Sequence, residues 1–135
     1  MKIQIVAAIT IDGFLSEYPE SPRRCFYYDK YSLDALRRSA SRILHKDTSL
    51  IRLLNEKQQQ PSSTLTYLAE SSTDNMGFIK GLLLYSLADE LILYIVPRIA
   101  GAGVRLFDGS APSAWKPAGN RTFSNGISRI VYRRG

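Results

Sequence analysis

Leu87-Ala88-Asp89-Glu90-Leu91-Ile92-Leu93-Tyr94-Ile95-Val96-Pro97, followed by Gly101-Ala102-Gly103 and Leu106-Phe107, is the stretch on which the fold is decided. Leu91 to Val96 is an unbroken apolar run, six residues long by its numbering and closed by Pro97. A run of that length without alternation predicts a strand covered on both faces, and the proline marks its end. The two glycines that follow predict a loop free to take unusual backbone angles.

Working outward, Lys2 to Ile9 has the same two-sided character. Ile3, Ile5, Ala7 and Ile9 fall on one face, and Val6 and Ala8 on the other. Ile11-Asp12-Gly13-Phe14 reads as the turn after it. Glu17 to Arg24 holds Pro19 and Pro22 and reads as an exposed loop. From Ser32 the period changes: Leu33, Leu36, Ala40, Ile43 and Leu44 form one helical stripe, with Arg37, Arg38 and Arg42 on the solvent side. A shorter helix carrying Leu50, Ile51, Leu53 and Leu54 follows, capped by Asp47, and Gln58 to Ser63 is a polar loop. Thr64 to Leu68 is a strand. Thr73 or Asp74 starts a helix that turns Phe78, Ile79, Leu82, Leu83 and Ser86 inward. Arg121 to Phe123 and Ile127 to Tyr132 are strands joined at Ser124-Asn125-Gly126, an Asn-Gly hairpin signal. The order β, α, α, β, α, β and a terminal hairpin predicts an α/β domain, a mixed sheet flanked by helices, spanning residues 1–135 as one unit.

Composition narrows the chemistry. One cysteine and one histidine among 135 residues exclude an internal disulfide, cysteine or multi-histidine metal clusters, and leave little for triad catalysis. No metal site is expected. Cys25 is read as an incidental loop residue. His45 is placed at a helix end without a catalytic part, and Trp115 and Tyr94 are read as packing groups. The N-terminal stretch lacks the features of a signal sequence, and no run reaches the length of a membrane span, so a soluble, cytoplasmic protein is expected. The net charge of +6 suits phosphate-bearing partners or simple solubility. A nucleic-acid module resting on Arg129, Arg133 and Arg134 is the weaker reading, since no recognised motif accompanies the charge.

Segments 87–107, 8–14 (Ala-Ile-Thr-Ile-Asp-Gly-Phe), 36–44 and 122–134 resemble, in that order, the riboflavin-biosynthesis reductase family. That family comprises the reductase domain of the bifunctional deaminase-reductase and its stand-alone relatives, within the dihydrofolate-reductase-like superfamily. The resemblance implies hydride transfer from NADPH to a phosphorylated pyrimidine or pterin-like molecule, as in 5-amino-6-(5-phosphoribosylamino)uracil reductase, and a homodimer. It places Asp12 and Glu70 as catalytic groups, Ile9, Thr10, Ser71, Ser72 and Thr73 at the cofactor, and Lys30 with Glu70 at the substrate. Arg105 is a further candidate for a phosphate.

Two departures stand beside it. After Leu44 the chain carries His45-Lys46-Asp47-Thr48 in place of a glycine-bearing turn and reaches Thr64 quickly, so the nucleotide-binding half is expected to be shortened. The family's Glu-Gly-Gly is here Glu70-Ser71-Ser72, and a Cβ at those positions obstructs close approach of backbone to a diphosphate. These departures motivate the alternative expectation, a non-catalytic scaffold or dimerisation protein on the same fold.

Overall fold

The central strand, β1 (Lys2–Thr10), is buried from Ile3 onward on both faces. Its position explains the rest of the architecture. The computed structural model describes residues 1–16, 33–124 and 126–135; Lys30, Cys25, Asn125 and the expected loop from Glu17 to Arg24 lie outside them. The elements in chain order are β1, α1 (Leu33–Ser39), β2 (Arg42–Ile43), α2 (Leu50–Gln59), β3 (Thr66–Glu70), α3 (Met76–Leu84), β4 (Glu90–Val96), β5 (Trp115–Thr122) and β6 (Ser128–Arg134). They build one six-stranded sheet in the order β2-β3-β1-β4-β6-β5. β1 pairs in parallel with β3 and β4, β2 in parallel with β3, and β6 runs antiparallel to β4 and β5.

Side-chain alternation sends the two halves of β1 into two cores. Ile3, Ile5, Ala7 and Ile9 pack with Leu53 of α2 and with Phe78, Ile79 and Leu82 of α3. Val6 and Ala8 pack with Leu33 and Leu36 of α1, together with Ile92, Tyr94 and Val131. Helices therefore cover both faces, as the two-sided apolar runs predict. Tyr94 is fully buried in the second core, a packing group as its sequence context suggests.

The amino end of the sheet is tied by polar contacts. The Ile3 N–H donates to Asp89 Oδ2 at 2.8 Å, and Lys57 Nζ donates to both Asp89 oxygens at 2.6 Å and to the Leu87 carbonyl at 2.8 Å. Buried Glu90 accepts from Gln4 Nε2 at 2.8 Å and from Arg133 Nε at 3.3 Å. The Tyr67 hydroxyl donates to Glu56 at 2.9 Å, fixing α2 against β3; burial, and then this bond, push its pKa up.

Several sequence expectations are corrected. The 33–44 helix stops at Ser39, because Ile43 joins the α1 core while Leu44 joins the other. Adjacent residues facing opposite ways have a period of two, and Arg42–Ile43 accordingly pairs with β3. Ser49, rather than Asp47, caps α2 by accepting from the Arg52 N–H at 3.3 Å, and the helix takes in Gln58 and Gln59. β5 begins at Trp115, with Pro117 tolerated on an edge strand beside a register shift, and Phe123 falls past its end. The shortened half is visible as β2, a two-residue edge. No helix among the described residues is long and apolar enough to cross a membrane.

α3 begins at Met76, after Asn75, and not at Thr73 or Asp74; Ser86 lies beyond its end and is exposed. The Ser86 N–H donates to the Leu83 carbonyl and the Leu87 N–H to Leu82, a Schellman closure with Ser86 at φ 54°. That left-handed position favours glycine, since a Cβ there costs about 1 kcal/mol. Ser86→Gly is expected to raise unfolding free energy by about 0.5–1 kcal/mol in urea titration; a variant less stable than the parent would contradict the assigned helix end.

Candidate functional site

The carboxyl ends of the four parallel strands define where a ligand would meet this sheet. From β1 the chain passes to β2 by way of α1 on one face; from β3 it passes to β4 by way of α3 on the other. Adjacent β1 and β3 thus send their connections to opposite sides, which opens a crevice at their carboxyl ends. Beside it, at the ends of β2 and β3, lies a cleft of about 520 Å³ lined in part by His45, Lys46, Asp47, Glu70, Ser72 and Asp74.

On the β1 side, Thr10 is buried and its Oγ1 donates to Asp12 Oδ1 at 2.5 Å while accepting from the Phe14 N–H at 3.2 Å. Asp12 also accepts from the N–H groups of Ala100 at 3.1 Å and Gly101 at 2.8 Å. Gly101 holds φ 77°, which a glycine takes without strain. The Asp12 carboxylate thereby joins the first turn to the loop after β4. The Thr10 hydroxyl, with the Gly101 and Ala100 amides, holds its carboxyl at about 2, below the ordinary 3.8. Ile9 is buried, packs with the α2 and α3 core and bridges to Leu15. Arg105 lies over the Phe14 ring at 4.8 Å.

On the β3 side, Glu70 is held by Arg37 in a two-point contact, Nε to Oε2 at 2.9 Å and Nη2 to Oε1 at 2.6 Å. Ser71 continues the ladder, its N–H donating to the Val6 carbonyl at 2.8 Å, and its hydroxyl is buried without a partner. Asn75 Oδ1 accepts from the Ser72 N–H at 2.9 Å, and its Nδ2 donates to the Glu70 carbonyl at 2.7 Å. Thr73 is exposed, and Lys46 pairs with Asp74 at 3.3 Å.

The structure brings Glu70, Ser71, Ser72 and Thr73 together at the end of β3, with Ile9, Thr10 and Asp12 at the end of β1. Sequence reasoning leaves Arg37 on the solvent side of its helix and passes over Asn75. Arg37 carries no local signal for its partner, which is 33 positions away in the chain. Asn75 does stand in a cap-rich stretch, but its side chain secures the loop before α3 and makes no cap hydrogen bond to the helix.

A dinucleotide diphosphate needs free N–H donors and positive charge. Here the Ser72 N–H is taken by Asn75, and the cleft wall carries Asp47, Glu70 and Asp74 against Lys46, which is already paired. Among the described residues, the unpartnered Ser71 hydroxyl and the first-turn N–H groups of α3, which no side chain caps, stand in favour. Against it, the three carboxylates of the cleft wall oppose the charge of the NADPH diphosphate. Among the described residues no cluster of His, Cys, Asp and Glu suits a metal ion.

The topology is that of the dihydrofolate-reductase-like fold, and comparison with solved structures bears it out over the whole chain. A protein assigned to riboflavin biosynthesis from Shewanella sp. PV-4 superposes with a TM-score of 0.72 at 12% identity, covering 100% of this chain and 99% of that one. Dihydrofolate reductase from Enterococcus faecalis, solved with NADP(H), gives 0.63 at 9% identity, covering 99% and 96%. The deaminase/5-amino-6-(5-phosphoribosylamino)uracil reductase of Thermotoga maritima gives 0.62 at 13% identity; 99% of this chain spans 56% of that one. No protein-family model and no curated protein sequence matches the chain.

The depressed Asp12 pKa has a definite consequence. The tether to residues 100 and 101 is at full strength above the unfolded value near 4 and is lost as pH falls through about 2. Amide exchange at Ala100 and Gly101, corrected for intrinsic rates, is expected to accelerate across that interval, and Asp12→Asn to abolish the acid step. Unchanged protection down to the lower limit would contradict the tether.

Proposed function

We propose that this chain keeps the reductase scaffold without dinucleotide-dependent hydride transfer, and acts as a non-catalytic binding or dimerisation protein of the dihydrofolate-reductase-like fold. The observation that carries this reading is the internal use of the strand-end polar groups. Asp12 is engaged by Thr10, Ala100 and Gly101, Glu70 by Arg37, and the Ser72 N–H by Asn75. A catalytic site keeps preorganised donors and charges directed at the reacting group; here they are directed at one another. Asp12, Glu70 and the Ser71 to Thr73 loop then serve the fold. The cofactor role of Ile9, Thr10 and the serines, the substrate role of Lys30, and a phosphorylated pyrimidine or pterin-like ligand all belong to the reductase reading and fall with it.

A second copy of the chain is the partner this reading favours. Both sheet edges are poor templates for pairing, because β2 is two residues long and β5 carries Lys116, Pro117 and Arg121. Exposed Ile51, Leu84 and Tyr85 on the outer side of the helical layer offer a face-to-face contact instead. A nucleic-acid role finds little support in the terminal arginines. Arg129 is buried, Arg133 reaches Glu90, and Arg134 donates to the Ala88 carbonyl at 2.9 Å.

Calorimetric titration of NADPH and NADH tests the central point. No saturable heat is expected for the native chain with either nucleotide. Saturable binding of NADPH would restore the reductase reading. Light scattering on the same sample is expected to give a dimer mass; a clean monomer would remove the dimerisation part.

A further inference from the structure

The core beneath α2 and α3 reaches solvent at a groove of about 460 Å³ beside the end of α3. Leu91 and Leu93 of β4 belong to that core, while Ile92 between them faces the other, so alternation sets both leucines on the groove side of the sheet. Tyr132 joins them because it stands opposite Leu91 on β6. Leu83 of α3 and Trp115 of β5 flank this floor, and Phe107, from the connection between β4 and β5, adds a third aromatic ring. Of these residues only Phe107 is exposed, 40% against 65% for Leu84 on the outer side of α3. The apolar surface thus lies inside the depression, open to a body small enough to enter it and poorly placed for a flat protein surface.

The lining sets the chemistry of such a body. No residue lining the groove carries a charge. A charged ligand group drawn into it would leave water without a partner to meet it, at a cost that apolar contact does not return. The Trp115 ring is held in place from outside the ligand space. Its Nε1 donates to Ser113 Oγ at 2.9 Å, and Arg134, which does not line the groove, stacks on it at 4.6 Å while its own Nε donates to the Ala88 carbonyl. A wall fixed in advance loses little freedom when a ligand arrives. An apolar, aromatic-lined cleft within the range of about 300–1,000 Å³ is the usual form of a small-molecule site.

We propose that this groove binds an uncharged, flat, ring-bearing small molecule. Its ring lies over Leu91 and Leu93 and meets Phe107, Trp115 and Tyr132 in offset or edge-to-face contact. The groove lies towards the amino end of β4, whereas the crevice lies at the carboxyl ends of the strands. The proposal therefore gives the scaffold a ligand class of its own and stands whether or not the crevice takes a dinucleotide.

Trp115 is the chain's single tryptophan, so energy transfer from it reports on this groove. The probe is neutral N-phenyl-1-naphthylamine, with 1-anilinonaphthalene-8-sulfonate as its anionic counterpart, each titrated into the native protein. One saturable site with sensitised emission is expected for the neutral probe, and binding about tenfold or more weaker for the anionic one. Phe107→Ala and Leu83→Ala are each expected to weaken the neutral probe about fivefold or more, and Leu84→Ala to change it by less than about twofold. Phe107 is exposed, so its variant keeps the test valid should Leu83→Ala fold poorly. Absence of saturable binding or of energy transfer from Trp115, equal affinity for the two probes, or equal losses in the Leu84 and Phe107 variants would overturn the proposal. So would an affinity that falls as protein concentration rises, which would mean that a second copy fills the groove.

Discussion

The double burial of β1 is the constraint on which this structure depends. A strand apolar on both faces needs a cover on each side and a neighbour on each edge, since its backbone groups have no water to turn to. β3 and β4 supply the edges in parallel, and parallel pairing requires crossovers, which deliver α1 to one face and α2 and α3 to the other. The crevice at the ends of β1 and β3 follows from the same arrangement, because the two connections leave on opposite faces. The position of a possible site is thus a product of topology, while its chemistry is left to the residues that arrive there.

Those residues are bound to each other. Asp12 serves as an acceptor for a hydroxyl and two amides, and this clasp stitches the β1 turn to the loop that follows β4. Glu70 and Arg37 connect β3 to α1, and Asn75 closes the loop between β3 and α3. Ser71 and Ser72, where the family that the sequence resembles carries glycines, stand in a loop held by side-chain contacts.

The fold was legible in the sequence where a signal is local. Leu91 to Val96 and Ile5 to Ile9 announce buried strands by having no polar face, and the segment resemblance over 87–107 points to the dihydrofolate-reductase-like fold. It was less legible where tertiary pairing decides. Ile43 and Leu44 complete a plausible helical stripe, yet the open edge of β3 takes Arg42 and Ile43 as a strand, and Ile43 and Leu44 enter different cores. Trp115 to Asn120 contains Pro117 and Gly119 and carries no strand signal of its own, although β6 recruits it as an edge strand. Asp12 and Glu70 stand out as carboxylates at strand ends, but their partners Ala100, Gly101 and Arg37 are remote in sequence. A search for local patterns therefore finds the groups without finding what they do.

Thermal unfolding of Asp12→Ala and Glu70→Ala, measured beside the native chain, tests the central claim most directly. Carboxylates reserved for substrate are commonly held at some cost to the fold, so that removing them leaves stability unchanged or raises it. If Asp12 and Glu70 serve the scaffold, both variants melt at lower temperature than the parent at neutral pH. Midpoints equal to or above the parent's would contradict the account and return both residues to the list of groups kept for a ligand.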